Sequence, residues 1–249
     1  MDFYSAKFRR QRVPSLYLFG KIRQLNIVTV GILLFILASC ATQEDSLPMY
    51  GGMERNTIPE IKTADEKLIQ ENTKFYGSRE NASAVFVNRG FKLYQEHDLD
   101  GAMRRFNQAW ILNPNNPEVY WGFASVLHNQ GENCESMSMI EKALGFNTYF
   151  TGLYPDAGRI IVLCTVSDAQ QEPAQKVKNF QRSEKLFGEA VEKDINKGYV
   201  YALWATAYYW QEQYEEAWNM VQKSKENGGQ VSDQFLSLLS EKMPEPSMK

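Results

Sequence analysis

Beyond residue 56 the apolar positions fall into stripes with helical spacing, and the stripes themselves recur along the chain. Phe86, Gly90 and Leu93 stand at i, i+4 and i+7, which aligns them on one face of a helix, and Ala102, Phe106 and Ala109 repeat the arrangement shortly afterwards. The small residues Gly90, Ala124, Gly158 and Ala205 are separated by 34, 34 and 47 residues. The aromatic row Phe86, Tyr120, Tyr154 and Tyr201 and the apolar row Leu93, Leu127, Ile161 and Tyr208 keep the same intervals. In the second half of each unit, Phe106, Ile140, Phe187 and Val221 are spaced by 34, 47 and 34, and two small rows follow them: Ala102, Ser136, Ser183, Ala217, and Ala109, Ala143, Ala190, Ser224. The order of these intervals places a 13-residue insertion inside the third copy, after Ile161 and before Ser183. The pattern predicts an all-α solenoid of about four helix pairs. Small residues let the two backbones of a pair approach, and aromatics fill the space above and below.

The 34-residue helix-turn-helix unit resembles the tetratricopeptide repeat (TPR). Gly90, Ala102, Phe106, Ala109 and Pro114 match its signature in the first copy, and Asn113 to Glu118 looks like the usual junction, with Asn116 as N-cap and Pro117 opening a helix. The resemblance covers residues 83–231, which are 149 of the 210 from Cys40 onward, as copies 83–116, 117–150, 151–197 and 198–231. Later copies depart from the signature: Thr148 stands where a proline is expected, and Ser136 and Ser183 replace alanine. Flanking helices are expected at both ends, because a repeat stack exposes apolar end faces unless they are covered. Residues 57–82 read as the N-terminal cap, opened by a capping-box spacing from Thr57 to Glu60 and carrying Ile61, Leu68, Ile69 and Phe75 on one side. Residues 232–249 read as a C-terminal capping helix and tail, with Phe235, Leu236, Leu238 and Leu239 as its apolar positions. Within the insertion, Pro173 opens a helix-favouring run to Asp194, read as a lengthened second helix, with a partner-contacting projection as the alternative.

The N-terminal segment has a different pattern. Lys21 and Arg23 precede an eleven-residue apolar run from Ile27 to Leu37, too short to span a bilayer at roughly 20 residues but of signal-peptide length. It ends in Leu37-Ala38-Ser39-Cys40, which resembles the lipobox of bacterial lipoproteins. The resemblance implies a signal peptide over 1–39, a diacylglyceryl group on the Cys40 thiol, and cleavage that leaves Cys40 first. The covalent lipid on Cys40 is the only non-protein group expected, and no cofactor is. More than one acyl chain makes such an anchor stable. Residues 40–56 then form a lipidated tether; its 16 residues after the cysteine reach at most about 55 Å extended and average roughly 20–24 Å as a flexible chain. Ala41 instead of Asp implies, by likeness to enteric lipoproteins, the outer membrane facing the periplasm.

Charge and chemistry remove several functions from consideration. Six of the 27 basic residues and one of the 30 acidic ones precede Cys40, leaving 21 positive against 29 negative beyond it, a net of −8. A nucleic-acid partner is not expected, since phosphate binding needs clustered Lys and Arg. Only two histidines, His97 and His128, are available, neither at a zinc-ligand spacing, and no nucleophile elbow, phosphate loop or dinucleotide fingerprint occurs. Glu215-Glu216 and Asp98 with Asp100 sit at helix starts, where the macrodipole favours them. Catalytic, cofactor-binding and metal-binding residues are therefore expected to be absent, and the chain is read as no enzyme. Cys134 should begin the second helix of copy two and Cys164 end the first helix of copy three, at the same end of neighbouring units. They are either a disulfide closing a 30-residue loop, worth about 3 kcal/mol in an oxidising compartment, or two separate thiols.

Residues one step after the core rows are turned by roughly 100° and should line a concave groove. They are Val87, Phe91, Tyr94, Trp121, Ser125, His128, Arg159, Ala202, Thr206 and Tyr209. The row is aromatic and weakly charged, suited to anchoring a peptide or partner helix, although any one of these side chains can instead pack against the next copy. The expected function is a membrane-anchored periplasmic scaffold that binds a protein or peptide. The alternatives are a pilotin-like assembly factor for an outer-membrane or pilus machine and an accessory protein of a peptidoglycan enzyme. Oligomeric state is left open.

Overall fold

The computed structural model describes residues 57–246. The signal segment, Cys40 and the tether lie outside the described residues. Ten helices and no strand occur among them: α1 Pro59–Tyr76, α2 Arg79–Gln95, α3 Leu99–Leu112, α4 Pro117–Gln130, α5 Asn133–Gly145, α6 Leu153–Ser167, α7 Pro173–Lys193, α8 Lys197–Trp210, α9 Tyr214–Glu226 and α10 Asp233–Lys242. Four pairs, α2/α3, α4/α5, α6/α7 and α8/α9, stack in chain order, with α1 against the first pair and α10 against α9. The fold is an all-α helical-repeat solenoid.

The recurring rows meet where their residue types require. A Cβ on Gly90 would lie 2.5 Å from the Phe106 ring, and one on Gly158 would lie 2.7 Å from the Phe187 ring. Phe106, Ile140 and Phe187 are fully buried at these crossings. Gly122, which no row contains, comes as close to the same edge of Phe106, so glycines from α2 and α4 both make room for one ring. The two serines that break the alanine signature are accommodated by hydrogen bonds. The Ser136 hydroxyl donates to the Ala124 carbonyl and the Ser183 hydroxyl to the Gly158 carbonyl, both at 2.8 Å. Each therefore ties the small residue of its own pair, and a buried hydroxyl with a partner carries no desolvation penalty. A related exchange links copies one and four: Ser83 on α2 donates to Ala109 on α3 at 2.9 Å, whereas Ser224 on α9 donates to Gly198 on α8 at 2.7 Å.

In the first, second and fourth pairs the turn between the two helices uses a left-handed residue in register: His97 (φ 63), Gly131 (φ 88) and Glu212 (φ 62). Only the second copy places glycine there, and a side chain in this region costs about 1–2 kcal/mol. Glu212→Gly should raise stability by about 0.5–1 kcal/mol, part of the gain being offset by the freer unfolded chain. A thermal melt of the variant that is equal to or below the parent would contradict this.

Both ends and the insertion refine the expected boundaries. Helix α2 begins at Arg79, capped by Ser78, four residues ahead of the expected start at Ser83, because Arg79 reaches the C-terminal carbonyls of α3 at Leu112 (2.7 Å) and Ile111 (3.1 Å). Ile58 takes the cap position, one residue after Thr57, and Pro59 opens the helix. Leu68 and Ile69 pack on the core, but Phe75 is 80% exposed and does not cover the stack. Helix α7 has 21 residues against 13 in α5 and α9, so the insertion adds about 12 Å to its N-terminal end. Asn179 fastens that extension to α6 by donating to the Thr165 hydroxyl at 3.0 Å. Helix α10 continues the 34-residue rows: Phe235 follows Tyr201 and Leu239 follows Ala205. It has the register of the first helix of a fifth unit, and Leu239 occupies a place that the paired copies keep small.

Candidate functional site

The first helices α2 and α4 pack on each other, as do α6 and α8, and the residues expected to line the face of the four divide into two groups. Val87, Ser125 and Thr206 are buried. The Ser125 hydroxyl donates to the Trp121 carbonyl (2.9 Å) and the Thr206 hydroxyl to the Leu203 carbonyl (2.7 Å), each along its own helix. Being buried, these positions are not open groove wall, apart from Thr206 at the cleft described below. Phe91, Tyr94, Trp121, His128, Arg159, Ala202 and Tyr209 are half-buried. Several of these are joined to one another across the repeats: Phe91 packs on Trp121 with ring centres 4.5 Å apart, Asn129 donates to the Tyr94 hydroxyl, and Trp121 packs on Phe150 at 5.3 Å.

A polar chain runs through the centre of this face, and its hub, Asp156, was not among the expected residues. One oxygen of Asp156 accepts the Trp121 indole N–H at 2.8 Å, the other accepts the Tyr199 hydroxyl at 2.9 Å, and Arg159 stands 3.8 Å away. The signal was present in the sequence: Asp156 and Arg159 are the only charges in α6 and sit at i, i+3 in an otherwise apolar helix. Asp156 joins α4, α6 and α8, one side chain from each of three successive copies.

His128 continues the chain towards α5. Its Nε2 faces Arg159 Nη1 at 2.9 Å and its Nδ1 faces Asn133 Oδ1 at 3.0 Å. A guanidinium can only donate, so Nε2 accepts and Nδ1 carries the proton: the ring is neutral. Burial, then the Arg159 charge, pull the His128 pKa down from 6.5 to about 3, against the opposing bond to Asn133. The folded chain thus binds this proton less tightly than the unfolded chain. Its stabilising contribution is complete above pH 6.5 and is lost as the pH falls from there towards 3, by about 2–3 kcal/mol at pH 4. Urea titrations of the parent and of His128→Gln should show the parent losing that much more between pH 7 and pH 4, since carboxylate titrations are common to both. Parallel profiles would contradict a neutral buried ring.

At its C-terminal end the face opens into a cleft of about 320 Å³ between α8 and the segment that leads into α10. Tyr199, Ala202, Leu203 and Thr206 form one wall, and Val231 and Phe235 the other. The second wall is held by a close glycine contact: a Cβ on Gly198 would lie 2.5 Å from the Gly229 Cα.

Cys134 and Cys164 are disulfide-bonded, with Cα atoms 4.7 Å apart, and tie the start of α5 to the end of α6. Closing a loop of this length contributes about 3 kcal/mol in the chain-entropy model. Reductant should lower the free energy of unfolding by that amount in the parent chain and have no effect on the Cys134→Ala, Cys164→Ala double variant. Among the described residues no group of three His, Cys, Asp or Glu could hold a metal ion, and no helix is long and apolar enough to cross a membrane.

No family model matches the chain. A protein of Methanocaldococcus jannaschii described as TPR repeat-containing is 34% identical over 64 residues, which are 26% of this chain. The match spans only 11% of that protein's length. Among solved structures, YrrB, described as a TPR protein with an unusual peptide-binding site, aligns over 72% of this chain and 98% of its own at 18% identity, with a TM-score of 0.33. The chain is thus an all-α helical-repeat solenoid with a stretch similar to a protein that carries tetratricopeptide repeats.

Proposed function

We propose that this chain is a TPR-type scaffold that binds a protein or peptide partner along the face of α2, α4, α6 and α8, moored by lipid on Cys40 to the outer membrane and facing the periplasm. The observation that carries the reading is the rigid aromatic face that ends in an open cleft. Tyr94, Trp121 and Tyr209 are held by neighbours and lose little freedom on binding, which favours aromatic anchors at interfaces. The Cys134–Cys164 bond supports an oxidising compartment, and the Leu37-Ala38-Ser39-Cys40 sequence supports the anchor.

Two measurements test it. Cells expressing the full chain and Cys40→Ser are fed an acyl-chain label and fractionated; the label and the outer-membrane location should both depend on Cys40, and a parent chain without label would refute the anchor. Cross-linked partners of the full chain are then compared with those of a Tyr94→Ala, Tyr209→Ala variant. Trp121 is left intact because its indole holds Asp156. An unchanged set of partners would show that this face is not the binding surface.

A further inference from the structure

The solenoid contains its own template for what the 320 Å³ cleft takes up. In the repeat register, Trp121 of the second copy corresponds to Pro155 of the third and Ala202 of the fourth, and Phe150 at the end of the second corresponds to Val231 at the end of the fourth. The two approach segments share geometry as well as register: Asn147 (φ 53) and Gly228 (φ 72) are left-handed at equivalent places. In the second copy the space between the first helix and the following segment is filled by the Trp121 indole, which packs on Phe150 (5.3 Å) and lies against Gly152. At the third junction the Tyr199 to Asp156 bond and the Gly152 N–H donated to Asp194 (3.0 Å) draw the segments together. At the fourth, Ala202 supplies only a methyl group, and the space stands open as the cleft.

From this correspondence we propose that the cleft is a socket for a single aromatic side chain, an indole or phenol, carried on an extended segment of a protein partner. The inference rests on the partner-binding reading above and names the group that the partner presents. Its volume is at the small end of ligand pockets, enough for one side chain and its backbone. The walls follow the Trp121 site in register: Val231 stands where Phe150 packs on the indole, and Phe235 of α10 adds an aromatic ring to the lining. Beside the socket, the segment 229–232 is neither helical nor turned, and Ser232 is extended.

The test uses the full chain in detergent micelles with methyl labels on Ala, Leu and Val, titrated with N-acetyl-tryptophanamide and, separately, N-acetyl-leucinamide. The tryptophan probe should move the Ala202, Leu203 and Val231 signals with a Kd on the order of 1 mM, at least about fivefold tighter than the leucine probe. Ala202→Trp should abolish those shifts without lowering the melting temperature, because the new indole takes the place that Trp121 takes in copy two. Should that variant fold poorly, Ala202→Leu should weaken the tryptophan probe at least about fivefold. Absence of shifts at the cleft, equal affinity for both probes, or undiminished binding by the folded Ala202 variants would overturn the socket. Cross-linked partners that persist unchanged on Ala202→Trp would also overturn it while leaving the scaffold reading intact.

Discussion

Phe106→Ala should cost about 4 kcal/mol of folding stability, the largest effect of any single substitution considered for this chain. The ring is fully buried, Gly90 of its own pair and Gly122 of the next make room for it, and it meets Phe91 edge-on at 5.0 Å and Phe123 at 6.3 Å. Its removal opens a cavity that reaches from its own pair into the next, so part of the loss should appear as weaker coupling of α2/α3 to the rest of the solenoid. A double-mutant cycle sharpens the expectation. Gly122→Ala alone should destabilise, because its Cβ lands on the ring, whereas in the Phe106→Ala background it should be neutral or stabilising, because it fills part of the cavity. Additive losses measured by urea unfolding would mean that Gly122 does not make room for this ring.

Asp156→Ala should cost about 3 kcal/mol, an effect governed by hydrogen bonding and not by volume. The substitution strands the Trp121 indole N–H and the Tyr199 hydroxyl, which donate at 2.8 and 2.9 Å, and removes the carboxylate beside Arg159. Asp156→Asn keeps one acceptor oxygen and should lose roughly half as much. Because Asp156 joins α4, α6 and α8, the Ala variant should also change the environment of Trp121, visible as a shift in tryptophan emission before unfolding. Full stability of Asp156→Ala would show that the polar chain across the face contributes nothing to holding the copies in line.

Much of this architecture was legible in the chain, and the residues that were not legible share a cause. The helix pairs, the place of the insertion and the lengthened α7 follow from intervals of 34 and 47, because a helix that buries one stripe against its partner must repeat that stripe wherever the pair is repeated. The same register brought Cys134 and Cys164 to one end of neighbouring units. Gly122 escaped notice because the rows were drawn within pairs, and its contact with Phe106 lies between pairs. Val87 and Ser125 were placed on the groove by angle alone; angle determines direction but not how closely neighbouring atoms stand, and both are buried, whereas Thr206, buried too, borders the cleft. Phe75 was assigned to the cap by periodicity, yet it stands largely exposed at the end of α1.

The order of small, aromatic and apolar positions in this polypeptide was sufficient to determine a helical-repeat solenoid, its number of pairs and the site of its irregularity, since burial of a stripe is a short-range requirement written into residue spacing. The distance between adjacent first helices was decided only in the folded molecule, and with it the joining role of Asp156, the neutral state of His128 and the opening beside Ala202. Those features depend on side chains from successive copies meeting across a gap that no interval along the chain specifies.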